Sequence, residues 1–298
     1  MPLTERRAEA INSRLRNDII DSTMKNHRWT HNLSLMGLGT TNLWNGPDSR
    51  KEEVFLTAIR EYGIRVIDTA EMYGRAEEGA AGILEKAGRE NIFLIDKILP
   101  GNVTEEGFER SLERSLKRLG TDYIDLYLLH WREDADLELL VRKMEAAKQS
   151  GKIREWGVSN FDTKDLRDLM KYTDHVFANQ VFYSVYERGI EVELLPFMRE
   201  HGIHPISYSA LGSGYISHPN IRDNERVMRL CAKWQVEPEA VLLRRITEED
   251  VLALFSTSSL NHLRQNLSAV PEESIRELFE ALDEEFPAPD HKYPLVKI

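Results

Sequence analysis

Cysteine and long apolar segments are the features that this chain most clearly lacks. Of its 298 residues only Cys231 is a cysteine, so no disulfide can form within the chain. Sparse cysteine is typical of proteins in a reducing compartment. No apolar run approaches the roughly 20 residues that span a membrane, and the charged N-terminus has no signal-like apolar core. We therefore expect a cytoplasmic protein with no membrane partner.

Positive charge is also scarce. The 39 lysine and arginine residues face 50 aspartate and glutamate residues, which gives a net charge of −11. This balance disfavours nucleic acid or an anionic membrane as the main partner. The hydrophobic fraction of 41% and the charged fraction of 30% are ordinary for a globular protein. The length is sufficient for one α/β barrel, which needs roughly 250 residues.

Two further kinds of site lack their sequence signals. Gly37 and Gly39 form a GxG pattern in GLGTTN, but the third glycine and the surrounding pattern of a Rossmann dinucleotide site are missing. Histidines occur at short spacings, at 27 and 31 and again at 201 and 204, without further ligands nearby. Because a metal site needs three or four ligands, we expect no metal.

Short apolar runs alternate with amphipathic segments along most of the chain. They predict strands near residues 33–37, 64–68, 92–97, 123–130, 154–159, 176–180, 204–208 and 251–255. Helical patterns lie near 49–62, 76–87, 104–119, 137–150, 163–172, 189–201 and 224–246, with a last helical region from 261 onward. Single helices between successive strands imply parallel pairing. Eight such units predict the α/β class and one (β/α)8 TIM barrel over residues 31–298, with an open doubly wound sheet as the alternative.

Local signals place the helix ends. Five helices are followed by a glycine that can adopt a left-handed conformation, namely Gly63, Gly88, Gly120, Gly151 and Gly202. Ser49 with Glu52 forms a capping-box pattern, and Thr104 and Thr163 are expected N-caps.

The first 30 residues do not fit this repeat. Apolar residues at 8, 11, 15 and 19 fall at helical spacing among many charges. We expect residues 1–30 to form an N-terminal helical extension that packs on the barrel or on a second copy, giving a monomer or a weak homo-oligomer. A frayed, solvated arm is the alternative.

Polar side chains follow three neighbouring strands where each apolar run ends. Asp68 ends one run and is followed by Tyr73, Lys97 ends the next, and His130 ends the third. Parallel barrel strands present their carboxyl ends at one rim, so these four side chains can converge. Taken singly, each has an ordinary structural role as a cap, a wall residue, a solvated lysine or a core histidine. Together they indicate a catalytic site.

Several longer motifs make the chain resemble the aldo-keto reductases, most closely the bacterial methylglyoxal reductase-like members. The resemblance runs from about Leu33 to the C-terminus and is carried by GLGTTNLW, DTAEMYG, LGTDYIDLYLLHW, GKIREWGVSN, SYSALGS and SLNHLRQN. It implies a barrel enzyme that reduces aldehydes or ketones with NADPH, or with NADH. A nicotinamide-binding regulatory or assembly subunit with little turnover is the alternative.

The family roles fit the chemistry of the four residues. Tyr73 would donate the proton, and Lys97, held by Asp68, would lower the pKa of that phenol from its usual value near 10. His130 would orient the substrate carbonyl and share the proton relay. Trp44 and Trp131 lie just past strand ends and are expected to form apolar walls of the substrate pocket.

The resemblance also assigns residues to the cofactor. Ser159, Asn160 and Gln180 would bond the carboxamide and Tyr208 would stack on the nicotinamide ring. The remaining expected cofactor residues are Gly39, Thr40, Thr41, Ser209, Leu211, Gly212, Ser213, Ser256, Thr257, Ser258, His262, Gln265 and Asn266.

Three positions depart from the family. Many members that prefer NADPH carry lysine at the place of Ser256 and arginine at the place of His262, so Arg264 is the nearest candidate cation and NADPH preference is expected to be weak. Asp96 stands where members usually have a small hydroxyl residue. Strand alternation points it away from the Lys97 side.

Overall fold

Eight parallel strands form a closed barrel. The computed structural model describes residues 35–213 and 218–297. The strands are β1 (Met36–Gly39), β2 (Val66–Asp68), β3 (Phe93–Ile98), β4 (Ile124–Leu129), β5 (Ile153–Ser159), β6 (Ala178–Phe182), β7 (His204–Tyr208) and β8 (Leu252–Phe255). Each strand pairs in parallel with the next, and β8 closes on β1. The predicted barrel is confirmed and the open sheet is excluded.

The strands are connected mainly by helices. Within the described residues these are α1 (Ser49–Glu61), α2 (Ala76–Ala87), α3 (Gly107–Leu119), α4 (Leu137–Gln149), α5 (Thr163–Leu169), α6 (Leu194–Glu200), α7 (Glu225–Trp234), α8 (Pro238–Thr247), α9 (Leu260–Asn266) and α10 (Glu272–Glu285). None of these helices is both long enough and apolar enough to cross a membrane.

The five predicted helix-ending glycines all have a positive φ, between 64° and 79°. Two other predicted helices had the wrong bounds. The helix predicted over 224–246 is two helices, because Gln235 adopts a left-handed φ of 55° and Pro238, which has no N–H to continue a helix, begins α8. The helix predicted over 189–201 begins instead with a 3₁₀ turn, Gly189–Glu191, and α6 starts only at Leu194.

Aspartates cap two helices where hydroxyl residues were predicted. Asp48 accepts hydrogen bonds from the backbone amides of Arg50 and Lys51, so the residue before Ser49 is the N-cap of α1. Asp162, rather than Thr163, forms a capping box with Asp165. A carboxylate adds a charge interaction with the helix N-terminus to the same hydrogen bond that a hydroxyl makes.

Thr104 does not cap α3 in the predicted way. The helix begins at Gly107 and its N-cap is Glu106, which makes no side-chain capping bond. The hydroxyl of Thr104 instead accepts a hydrogen bond of 2.9 Å from the Gly107 amide, across the turn before the helix.

The two glycines of the GxG pattern serve different purposes. A Cβ at Gly37 would lie 2.7 Å from Leu254 and 2.8 Å from Val66, inside the barrel. This glycine is therefore required for packing. Gly39 has no such neighbour, since its nearest contact would be a backbone oxygen of Phe255 at 3.8 Å, and it borders a cleft at the barrel mouth. The pattern is thus not a phosphate loop.

The predicted N-terminal extension over residues 1–30 and the first residues of the first predicted strand lie outside the described residues. From Leu35 onward, the barrel brings every strand end to one rim, and strand alternation decides which side chains enter the mouth. Val66, Ile95 and Leu128 fill the barrel interior. Side chains alternate along a strand, so the residue two positions after each of these three also points into the barrel mouth.

Candidate active site

The structure brings the four predicted catalytic side chains together at the carboxyl-end rim. Asp68 is the last residue of β2, Lys97 lies near the end of β3, and His130 directly follows β4. All three have the inward parity set by the barrel interior. Tyr73 lies in the turn after β2, where its amide bonds the Ala70 carbonyl at 2.9 Å. The site is therefore built by three successive strands and one loop.

Lys97 and Asp68 form a buried ion pair. The ammonium nitrogen of Lys97 lies 2.7 Å from both carboxylate oxygens and 2.8 Å from the carbonyl oxygen of Thr69. Burial favours the neutral amine, but attraction by Asp68 and then by Tyr73 outweighs it, so the pKa of Lys97 is raised. Gln180 donates to Asp68 at 2.7 Å and fixes the carboxylate from the other side. The lysine is held as a cation.

Tyr73 lies beside this cation. Lys97 Nζ is 5.1 Å from the centroid of the Tyr73 ring. The pKa of Tyr73 is nevertheless raised, because burial disfavours the phenolate more strongly than the charge of Lys97 favours it. The predicted direction of the effect of Lys97 on the Tyr73 pKa is confirmed, but the predicted net lowering of that pKa was wrong. Tyr73 is therefore a phenol that keeps its proton over a wide pH range.

His130 lies between two aromatic rings. Its imidazole stacks on Trp131 with centroids 3.8 Å apart, and Tyr73 meets it edge-on at 5.7 Å. Burial, together with the charge of Lys97, lowers the pKa of His130 to about 2. The ring is neutral at physiological pH, so it offers one N–H donor and no positive charge.

Asn160 links Tyr208, at the end of β7, to His130. Its side-chain oxygen accepts from the Tyr208 hydroxyl at 2.8 Å, and its amide nitrogen donates to the His130 carbonyl at 3.0 Å. The residue has a φ of 63°, a left-handed conformation that asparagine tolerates better than most residues. Ser159 donates to the carbonyl of Gln180 at 2.8 Å. The first two bonds hold the Asn160 side chain in place, and the third ties Ser159 to the backbone of Gln180.

A cleft of about 650 Å³ opens at this rim and is bordered by three of the four predicted catalytic residues, Asp68, Tyr73 and His130. Leu211 and Ser256 also border a second lobe of about 440 Å³, so the two lobes are neighbours along one groove. Predicted residues that border the first lobe are Gly39, Thr41, Ser159, Asn160, Gln180, Tyr208, Ser209, Leu211, Gly212, Ser213, Ser256, Trp44 and Trp131. Thr257, His262, Gln265 and Asn266 border the second lobe.

Three residues considered at the sequence level lie off this groove. Thr40 is fully buried, Ser258 is exposed without lining either lobe, and Arg264 is exposed on α9 and likewise lines neither. Arg222 and Glu239 also line the second lobe and were not predicted from the sequence. No motif could have found them, because the fold alone brings their two segments to Ser256.

Asp96 occupies the opposite face of β3 and is fully buried between the barrel and its helices. Neither carboxyl oxygen makes a well-directed hydrogen bond within the described residues, although the amide of Lys97 lies nearby. Burial and the charge of Glu77 raise its pKa well above the ordinary value. This carboxyl is therefore outside the catalytic cleft and disposed to hold a proton.

The site and the fold agree with the family match. Residues 35–284 match the model of the aldo/keto reductase family. The chain belongs to the aldo/keto reductase family. It is an enzyme of the oxidoreductase class, as the resemblance predicted.

Two curated relatives and one solved structure illustrate the similarity of this reductase to known proteins. Methylglyoxal reductase YeaE of Escherichia coli is 33% identical over 277 residues, covering 90% of this chain and 97% of its own. Methylglyoxal reductase DkgB of E. coli O157:H7 is 30% identical, covering 78% of this chain and 85% of its own. An aldo/keto reductase from Klebsiella pneumoniae, solved with NADP and acetate, superimposes with a TM-score of 0.80 at 32% identity. The match covers 89% of this chain and 96% of the Klebsiella chain.

Proposed function

We propose that this reductase transfers a hydride from NADPH to small, activated carbonyl compounds such as methylglyoxal, other 2-oxoaldehydes and aromatic aldehydes. One observation carries the proposal: a protonated phenol, Tyr73, lies beside the buried Lys97–Asp68 pair and the neutral ring of His130, at the floor of an open cleft. The relatives' names and the NADP-bound neighbour support it.

The two-lobed groove suits a dinucleotide. Tyr208, half-buried above the barrel mouth, presents a ring to the first lobe, and the amides of Asn160 and Gln180 lie beside it. Gln180 uses one N–H on Asp68 and retains a carbonyl oxygen for a carboxamide. Ser256 joins this lobe to the second, where Gln265 and Asn266 offer amide groups to an adenine. The donors and acceptors thus match the two ends of NADPH.

A nicotinamide held beside Asn160, Gln180 and Tyr208 would supply the hydride for the carbonyl carbon. Tyr73 donates its phenolic proton to the oxygen as that oxygen becomes an alkoxide. Lys97 stabilises the phenolate that this transfer creates, and its charge is kept in place by Asp68. His130 orients the carbonyl by donating one N–H, because its ring is neutral.

The mouth of the cleft favours small substrates. Its apolar walls are Trp44, with 51% of its surface exposed, and Trp131, which is stacked on His130. A site with so few remote contacts can supply little binding energy to a large substrate. Rates should then follow the electrophilicity of the carbonyl, and KM values should be high.

We also propose that the enzyme works in a reducing cytoplasm. The support is the cysteine usage, because Cys231 is the single cysteine of the sequence and is a buried free thiol, so no disulfide within the chain stabilises the fold.

Turnover of a substrate panel tests the proposal. NADPH consumption would be followed with methylglyoxal, a nitrobenzaldehyde, an aldose and a ketosteroid. The two activated aldehydes should have kcat/KM values at least tenfold above the other two. A steroid or sugar that exceeds both aldehydes tenfold would refute the substrate class, and no turnover with any carbonyl would favour a binding subunit.

A further inference from the structure

The second lobe of the groove holds a pre-formed arginine–glutamate pair. Arg222 Nε lies 3.0 Å from one carboxylate oxygen of Glu239, and its Nη2 lies 2.7 Å from the other. A second, longer contact of 3.3 Å joins Nη2 to Glu237. Both Arg222 and Glu239 line the lobe together with Ser256 and His262. The guanidinium therefore already presents its two-donor edge to an oxyanion.

The backbone fixes where both groups stand. Arg222 is the middle residue of a 3₁₀ turn, Ile221–Asp223, and its amide bonds the side-chain oxygen of Asn220 at 3.1 Å. Glu239 lies in the first turn of α8. The Arg222 side chain keeps 40% of its surface exposed, so it can turn toward a ligand without leaving a rigid anchor.

Arg222 is the strong cation of this lobe. Ser256 and His262, which also line it, are neither lysine nor arginine, and Arg264 does not line the groove. Among the residues that border the second lobe, within the part of the chain that the structure describes, Arg222 is the only lysine or arginine.

We propose that Arg222 recognises the 2′-phosphate of NADPH and that Glu239 competes with the phosphate for it, so that this pair sets the preference between NADPH and NADH. The inference rests on the proposed use of NADPH in this groove. Arginine binds carboxylate and phosphate with the same bidentate edge, and the phosphate carries more charge.

Two opposing effects then determine the preference. An exposed ion pair contributes little, so exchanging Glu239 for phosphate costs little. The carboxylate that is released remains near the phosphate and repels it. With NADH bound, the same carboxylate can accept a hydrogen bond from the ribose 2′-hydroxyl while it stays paired with Arg222. NADPH should thus be preferred, but by a modest factor.

Binding measurements on the full chain test this without relying on turnover. Dissociation constants for NADPH and NADH would be measured by quenching of tryptophan fluorescence in wild type, Arg222→Gln, Glu239→Gln and the control Arg264→Gln. Arg222→Gln should weaken NADPH at least tenfold and NADH less than twofold. Glu239→Gln should tighten NADPH several-fold and weaken NADH. Arg264→Gln should leave both unchanged.

Each outcome decides the question. Equal loss for both cofactors in Arg222→Gln, or unchanged NADPH binding, would overturn the role of Arg222. Unchanged or weaker NADPH binding in Glu239→Gln would overturn the competition. If wild type binds neither cofactor, the proposed function itself fails. If it binds NADPH and reduces aldehydes while Arg222→Gln behaves as wild type, only this inference fails. Competition by 2′,5′-ADP, weakened in Arg222→Gln, would place the effect at the phosphate.

Discussion

The ammonium of Lys97 lies 2.7 Å from each carboxylate oxygen of Asp68, and both side chains are buried. Removing two charges from water is costly. A buried ion pair therefore persists only if the two groups are close together and further hydrogen bonds satisfy their remaining donors and acceptors. Here Thr69 and Gln180 supply those bonds. The pair therefore keeps Lys97 positively charged beside Tyr73.

Breaking this pair from one side should be costly to stability. Lys97→Met leaves the Asp68 carboxylate buried without its partner, and we expect the free energy of unfolding to fall by about 3–5 kcal/mol. The double variant Lys97→Met/Asp68→Asn removes both charges and should recover part of that loss. Urea denaturation of wild type, the two single variants and the double variant measures the coupling. Additive losses would contradict a coupled pair, and the double variant should remain catalytically impaired although it is more stable.

His130 should act as a neutral hydrogen-bond donor. Burial holds its pKa at about 2, so its charge does not change between pH 5 and 9 and kcat should show no break near pH 6.5. His130→Gln keeps an N–H donor and should retain more activity than His130→Leu. Loss of a donor to a developing oxyanion is worth roughly 10²–10³-fold in kcat.

The pH profile of kcat and the activities of the two His130 variants test the same claim, that His130 acts as a neutral donor. A break in kcat near pH 6–7 that disappears in His130→Gln would show a charged histidine acting as the acid. Equal activity of the glutamine and leucine variants would show that the N–H of His130 makes no contribution.

Asp96 should make stability depend on pH. Its folded-state pKa lies above the unfolded value near 3.9, so the folded protein binds the proton more tightly. This contribution is fully present below the unfolded pKa and is lost as pH rises toward the folded pKa. Asp96→Asn carries no such proton, and its stability relative to wild type should increase between pH 5 and 8. Urea midpoints across that range measure it.

Asp125 provides the matched control. It is also buried, but it accepts hydrogen bonds from Arg89 at 2.7 Å and from the Leu94 amide at 3.0 Å, and it pairs with Arg154 at 3.0 Å. Asp125→Asn should therefore lose stability throughout the range. If the stability of Asp96→Asn relative to wild type does not increase as the pH rises, Asp96 does not hold a proton in the folded protein.

The barrel and the convergence of the candidate catalytic residues at its rim could be predicted because each depends on local pattern. Apolar runs set the strands, and a parallel barrel brings residues that follow consecutive strands to one rim, so Asp68, Lys97 and His130 could be placed together from their order alone. Helix ends marked by glycine were also predictable. Caps at Asp48 and Asp162 were missed because neighbouring hydroxyl residues give the same sequence signal.

Long-range electrostatics could not be obtained this way. The net pKa of Tyr73 depends on how much water the fold excludes, which strand order does not reveal. Arg222 and Glu239 line the same lobe as Ser256 only because the fold brings the 3₁₀ turn Ile221–Asp223 and the start of α8 to the residues that follow β8. Neither segment carries a motif, so only the folded chain identifies the pair.

The role of Tyr73 as proton donor is the central claim, and Tyr73→Phe tests it most directly. This change removes one hydroxyl and keeps the ring that meets His130 and Lys97. Single-turnover reduction of methylglyoxal would be measured alongside the NADPH dissociation constant of the same variant. We predict a fall in rate of ~10²–10⁴-fold with cofactor binding within about threefold of wild type. A rate near that of wild type, with cofactor bound, would contradict the account.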